Sequence, residues 1–361
     1  MNANTDVSQV NGFDIVERTL DWINDGKGAA WAIVVDAWGS SPCPSGSLLA
    51  INDSVAFVGS VSGGCVEGEV VTEALGLIRK GASKLLDFGI ADEDAWRVGL
   101  ACGGRLRVFV TCITNQWRQV LVELVEAGRH KRPAGLVFPL EGGNPHLIVP
   151  GEKVSGAIVA VPELSEQVSD CLESDVSRVA ELPNGNRLFV RVFNPPLRLL
   201  IVGAVHIAQA LTAIARHADY EVIVIDPRES WATAERFPSI TFDRRWPSEA
   251  LQELRPDRRT AIVSLSHDPK LDDPALVEAL RSDAFYIGAL GSHRTHTKRL
   301  KRLTRQGLGS ETLERIHGPV GLDIGATTPS EIAVSIMAEV VSARRGIVRR
   351  KGGVRGNDVE R

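Results

Sequence analysis

Apolar residues recur with a helical period at Phe13, Val16, Leu20 and Ile23, and the run closes at Asp25-Gly26, so the spacing predicts a helix near the start of the chain. Short runs rich in β-branched residues predict strands over 31–36, 47–51 and 55–58. A second helical period through Val66, Val70, Ala74, Leu77 and Ile78 stops at Lys80-Gly81, and further strands are expected over 85–88 and 105–113. These elements predict a mixed sheet with at least one covering helix.

The next stretch is less patterned: a helix over 116–127, strands over 136–138 and 187–193, and connection elsewhere. Asn194-Pro195-Pro196 can continue neither a helix interior nor a central strand, which places a domain boundary there. Beyond it the pattern becomes strand, turn, helix, repeated: strands over 199–202, 222–225, 261–265 and 286–290, with a helix over 207–217. That alternation predicts a doubly wound parallel sheet, a Rossmann-like domain. The fold class expected is therefore α/β, in four parts: an N-terminal mixed α/β domain over 1–115, a connecting α/β region over 116–196, the Rossmann-like domain over 197–346, and a basic flexible tail over 347–361.

Composition narrows the function classes. The chain has 361 residues and a net charge of −4, from 41 Lys and Arg against 45 Asp and Glu, with both signs interspersed. Neither nucleic acid nor an anionic membrane is an expected partner. No apolar run reaches the roughly 18 residues of a spanning helix, and the first dozen residues lack a signal-peptide core, so a cytoplasmic protein is expected. Five cysteines, odd in number and without a Cys-x-x-Cys pair, point to reduced thiols rather than a disulfide framework or a structural zinc site.

The strongest chemical signal is Gly59-Ser60-Val61-Ser62-Gly63-Gly64-Cys65-Val66-Glu67. It places Cys65 near a helix N-terminus, where unpaired N–H groups and the helix dipole favour a thiolate and glycine lets an anion approach the backbone. Cys102-Gly103-Gly104 forms a similar turn that leads into a strand. A small buried cysteine at a tight turn would give the same local pattern, and spacing does not show whether the two cysteines face one cavity. Gly39 to Gly46 reads as a rigid polar connector.

In the C-terminal domain, Gly203-Ala204-Val205-His206-Ile207-Ala208 sits at the first strand-to-helix turn. It matches the dinucleotide fingerprint at its first and last positions only, because Val205 stands where a glycine would admit a pyrophosphate. Asp226 is placed for a ribose hydroxyl and Arg228 for a phosphate, so NAD(P) is a candidate cofactor that Val205 should weaken. His267 could act as acid or base, and Gly291, Ser292 and Arg294 could receive an anion. Asp323 lies in a glycine-rich loop before Thr328-Pro329-Ser330-Glu331, which has the form of a capping box.

Taken together, Gly39-Ser40-Ser41-Pro42, the Gly-Gly-Cys and Cys-Gly-Gly turns, Tyr286-Ile287-Gly288-Ala289-Leu290-Gly291-Ser292 and Gly321-Leu322-Asp323-Ile324-Gly325 resemble the XdhC/CoxI family of molybdenum-hydroxylase maturation factors. The resemblance covers about 29–112 and 199–346. It implies a cytoplasmic homodimer that binds molybdenum cofactor (molybdopterin), supports its sulfuration with cysteine desulfurase as sulfur donor, and delivers it to a xanthine-dehydrogenase-like client, as a chaperone rather than a catalyst. On that reading Cys65 and Cys102 are the candidate metal ligands. Ser62, Gly63, Gly64, Glu67, Gly103, Gly104, Gly203, His206, Asp226, Arg228, His267, Gly291, Ser292, Arg294 and Asp323 complete the candidate binding set. Two alternatives stay open: an NAD(P)-dependent oxidoreductase using the Rossmann-like domain, and a redox sensor that pairs Cys65 with Cys102.

Overall fold

A computed structural model describes residues 11–39, 43–89, 104–141, 143–151, 162–182 and 185–347. The chain divides into two compact units, 1–195 and 196–361. In the first unit, helix α1 (Gly12–Asn24) leads into β1 (Ala29–Trp38), β2 (Leu48–Asn52), β3 (Phe57–Gly59), helix α2 (Glu67–Lys80), β4 (Ser83–Phe88) and β5 (Arg105–Cys112). There follow α3 (Asn115–Arg129), β6 (Ala134–Pro139), β7 (His146–Ile148), α4 (Pro162–Ser174), β8 (Arg178–Glu181) and β9 (Arg187–Phe193).

The first sheet has the order β3-β2-β1-β5-β4, and every pairing is antiparallel rather than mixed. The long link through α2 explains this: β3 and β4 run the same way but lie at opposite edges, so α2 crosses the sheet without creating a parallel pair. Central β1 is buried on both faces. Trp31, Ile33 and Val35 enter one core with α1, α3 and the second sheet, while Ala30, Ala32 and Val34 pack under α2 with Val66, Val70 and Ala74. Its apolar run is therefore nearly continuous instead of alternating. Helix α1 starts at a capping box in which Asn11 accepts from the N–H groups of Phe13 and Asp14 while Asp14 caps the Asn11 N–H, and its buried Thr19 hydroxyl receives the Trp31 indole N–H at 2.8 Å.

The second sheet, β7-β6-β9-β8, is also antiparallel. One face contributes Leu136, Phe138, Phe189 and Phe193 to the core it shares with α1 and β1. The other is covered by Leu164, Val168, Cys171 and Leu172 of α4.

The second unit comprises β10 (Leu197–Val202), α5 (His206–His217), β11 (Tyr220–Ile225), β12 (Thr241–Asp243), α6 (Pro247–Leu254), β13 (Thr260–Ser264), α7 (Pro269–Arg281), β14 (Tyr286–Ala289), α8 (His293–Arg305), α9 (Ser310–Leu313), β15 (Ile316–His317) and α10 (Pro329–Arg344). Its six strands are all parallel, in the order β12-β11-β10-β13-β14-β15. Helices α5 and α10 cover one face; α6, α7, α8 and α9 cover the other. This is the doubly wound, Rossmann-like sheet that the alternation predicts. The strand order reverses between β10 and β13, the crevice where folds of this kind bind ligands.

Candidate functional site

In the first unit the 59–67 segment is built around one carboxylate. Glu67, the first residue of α2, folds back over the loop that precedes it. Its Oε1 accepts from the Ser60 hydroxyl at 2.7 Å, the Val61 N–H at 3.2 Å and the Ser62 N–H at 2.9 Å. Its Oε2 accepts from the Gly64 N–H at 2.9 Å and from the Ser62 hydroxyl. Partial burial alone would raise the Glu67 pKa, but the hydroxyls of Ser62 and Ser60 and the Ser62 N–H outweigh it and hold the carboxyl at about 2. The serines close the rest of the circuit: Ser60 Oγ accepts from the Gly63 N–H and Ser62 Oγ from the Val66 N–H, each at 2.9 Å.

The arrangement redistributes the roles expected from sequence. Glu67, Ser62, Gly63 and Gly64 commit a carboxylate, a hydroxyl and backbone donors to the loop itself, so they shape the site. Cys65 stands exposed, and among the described residues the N–H groups of Cys65, Gly68 and Glu69 are not donors to this network. Gly59 and Gly64 have opposite duties. A Cβ on Gly59 (φ +91°) would lie 2.1 Å from the Leu48 carbonyl oxygen, whereas Gly64 (φ +115°) has open space where its Cβ would be. Gly59 seats the loop on the sheet; Gly64 leaves an approach open beside Cys65.

Sequence reasoning gave Cys43 no place in the candidate site. Its Sγ lies 3.9 Å from Ser60 Oγ, so the segment read as a connector joins the Gly-Gly-Cys loop. Burial pushes the Cys43 thiol up, opposed by its hydrogen bond with Ser60 and reinforced by the nearby Glu67 charge. The signal was present in Cys43-Pro44 between two glycines, but only the fold shows that β1 and β2 bring it beside Ser60. Gly104 is buried just before β5. Ser40, Ser41, Pro42, Cys102, Gly103 and the tail beyond 347 lie outside the described residues. Among the described residues, no group of three or more His, Cys, Asp or Glu is arranged to hold a metal ion.

In the second unit the predicted residues gather at the carboxyl ends of the parallel strands. Gly203 follows β10, Asp226 follows β11, His267 lies just past β13, and Gly291 and Ser292 follow β14. Gly203 (φ +103°) is required: a Cβ there would lie 2.9 Å from the Ser266 backbone across the switch point. His206 opens α5, whose N-cap Val205 provides no side-chain cap. His267 is exposed and left-handed at φ +62°. Ser292 caps α8 by accepting from the Thr295 N–H, and Arg294 is exposed in the first turn. Asp323 is exposed in the loop after Gly321. The Thr328 and Glu331 capping box forms at the start of α10.

Asp226 differs in kind. It is fully buried, accepts from the Ala204 N–H at 2.7 Å, and is gripped by the Arg228 Nε and Nη2 at 2.9 and 2.7 Å and by the Arg228 N–H at 3.0 Å. Burial opposes the Asp226 charge, but the Arg228 guanidinium and the Ala204 N–H prevail and hold its pKa below the usual aspartate value. The carboxylate expected to meet a ribose is spent on Arg228 and the Ala204 N–H, while the Arg228 side chain stays a third exposed. NAD(P) therefore loses its ribose acceptor as well as the glycine that Val205 replaces.

A domain family described as the XdhC Rossmann domain matches residues 199–340, and one described as the XdhC and CoxI family matches residues 22–89. The molybdenum cofactor insertion chaperone PaoD of Escherichia coli K12 is 28% identical over 331 residues, 91% of this chain and 88% of its own length. A probable xanthine dehydrogenase subunit from Bacillus subtilis 168 is 27% identical over 334 residues, 90% of this chain and 96% of its own. The crystal structure of a xanthine dehydrogenase from Bacillus halodurans superposes with a TM-score of 0.74 at 21% identity, covering 93% of this chain and 97% of that one, a likeness of fold.

Proposed function

The chain belongs to the XdhC and CoxI family, and from that premise we propose that it carries molybdenum cofactor as cargo, supports its sulfuration, and delivers it to a xanthine-dehydrogenase-type molybdenum hydroxylase. The observation that carries the reading is the exposed Cys65 on a loop that Glu67 holds rigid. A soft thiol suits a metal such as molybdenum, and the uncommitted N–H groups at the start of α2 suit an anionic group of the pterin.

The residues divide the work. Cys65 is the candidate ligand to the metal, and Cys102, outside the described residues, is a second. Glu67, Ser60 and Ser62 are positioning residues that fix where Cys65 points. Gly64 keeps the approach clear. In the second unit, His206 at the uncapped start of α5 and the Gly291, Ser292 and Arg294 loop are candidates for a phosphate. Cysteine desulfurase as sulfur donor and a homodimeric assembly complete the proposal. Reconstitution tests it: the parent chain and molybdenum cofactor together should activate an apo-hydroxylase, and Cys65→Ala should lower that activation at least tenfold with the protein still folded. Equal activation by the variant would remove Cys65 from the proposal.

A further inference from the structure

The surface helix α8 reads His293-Arg294-Thr295-His296-Thr297-Lys298-Arg299-Leu300-Lys301-Arg302-Leu303-Thr304-Arg305 and contains no acidic residue. Two of its cations serve the fold. Arg302 makes a two-pronged pair with Asp273 at 2.6 and 2.8 Å, and the buried Arg299 donates to the Leu290 carbonyl at 2.7 Å. The other four, Arg294, Lys298, Lys301 and Arg305, are exposed and form no ion pair among the described residues.

Their spacing is i, i+4, i+7, i+11. At 3.6 residues per turn this places them within about 60° of arc and along about 16 Å of one helix face. That stripe lies opposite the face buried through Arg299 and Leu303. It adds little to stability. Each successive pair is a like-charge i,i+3 or i,i+4 neighbour, and Arg294 in the first turn opposes the helix dipole that Arg305 in the last turn favours. Neighbouring helices show no such segregation: Arg281 on α7 pairs with Glu278 at 2.7 Å. In a chain whose net charge is −4, a cationic row that the fold neither neutralises nor needs is best explained by something outside it.

We propose that the outer face of α8 is a docking stripe for an acidic protein surface, one that presents carboxylates along a line of similar length. The outward arc carries threonines and no apolar residue to enter a bilayer, and the helix carries no Phe, Trp or Tyr on which a base could stack. The excess of acidic residues in the rest of the chain opposes a long polyanion. If the chain is a carrier, this partner is its client; the identity of the partner rests on that reading, and the stripe itself does not.

The test uses the full-length chain and a fluorescent helical peptide with Glu at i, i+4, i+7 and i+11, followed by anisotropy at low and physiological salt. Arg294→Gln, Lys298→Gln, Lys301→Gln and Arg305→Gln combined should weaken binding at least tenfold. Removing as many exposed cations elsewhere, with Lys27→Gln, Arg79→Gln, Lys80→Gln and Lys270→Gln, should change it less than threefold. The stripe variant should melt no lower than the parent, and the pair Lys298→Gln with Lys301→Gln should show an intermediate loss. Equal weakening by the stripe and control sets would overturn the proposal. So would tighter stripe-dependent binding of a 20-base-pair DNA duplex or of phosphatidylglycerol vesicles than of the peptide. Because the peptide assay contains no molybdenum cofactor, failure of the carrier reading leaves its outcome unaffected.

Discussion

Glu67 folds back onto Ser62, accepting both its hydroxyl and, at 2.9 Å, its backbone N–H. This one relationship converts a flexible glycine-rich sequence into a fixed loop, because Ser62 passes the constraint on by capping the Val66 N–H with the same hydroxyl. Glu67→Ala should therefore cost about 2 kcal/mol, the scale of lost hydrogen bonds to a charged group, and should weaken cofactor binding through disorder of the Cys65 loop. Denaturant unfolding measures the first effect. Unchanged stability would mean that the loop is held by something else.

The same carboxylate gives the loop a pH dependence. Its folded pKa of about 2 lies below the ordinary glutamate value of 4.5, so its stabilisation is complete above the latter and is lost as pH falls through the former. The stability gap between the parent and Glu67→Gln should be largest above about pH 5 and should shrink towards pH 2. A gap constant across that range would contradict the assignment.

Thiol labelling should rank the cysteines. Cys65 is exposed, while burial raises the thiols of Cys43, Cys112 and Cys171. With limiting iodoacetamide near neutral pH and peptide mass spectrometry, Cys65 should be modified at least tenfold faster than Cys112 or Cys171. Comparable rates would place Cys65 in a more protected setting.

The two glycines of the loop should separate folding from binding. Gly59→Ala drives a methyl group into the Leu48 carbonyl and should cost more than about 3 kcal/mol. Gly64→Ala meets nothing within 4 Å and carries only backbone strain, about 1–3 kcal/mol, while filling the approach beside Cys65. The expected pattern is a severe loss of soluble protein for the first and a folded, binding-impaired protein for the second.

Nucleotide binding should stay weak even after the obvious repair. Val205→Gly removes the side chain that obstructs the turn but leaves Asp226 locked to Arg228 and Ala204. Calorimetric titration of this variant with NAD(H) or NADP(H) should still show no sub-micromolar binding. Asp226→Ala, by contrast, should destabilise the fold by about 1–3 kcal/mol, because it leaves the buried Ala204 N–H without its acceptor while the part-exposed Arg228 can turn to solvent.

The Rossmann-like unit was legible because its central strands are buried on both faces and its turns fall at regular intervals; Leu199 to Val202 and Ala261 to Val263 read directly as core strands, whereas the short, part-exposed edge strand β12 did not. The region between Asn115 and Pro196 was less so. Helix α4 buries Leu164, Val168, Cys171 and Leu172 at helical spacing, yet polar residues dilute the period, and β7 has three residues, too few to carry a pattern. At the site, sequence placed Cys65 near the start of α2 but could not show that Glu67 points backward, that Asp226 is consumed by its neighbour, or that Cys43 arrives beside Ser60. Those are facts of side-chain direction and tertiary contact, to which spacing along the chain is blind.

The central claim, that the chain carries molybdenum cofactor at the Cys65 loop, is tested most directly by what it retains on purification from cells that make the cofactor. Oxidised pterin fluorescence and metal analysis on the parent should find pterin and molybdenum in equal amounts, and Cys65→Ala, folded to the same melting temperature, should retain less than a tenth of either. Equal retention by the two proteins, or a parent free of both pterin and molybdenum, would contradict it.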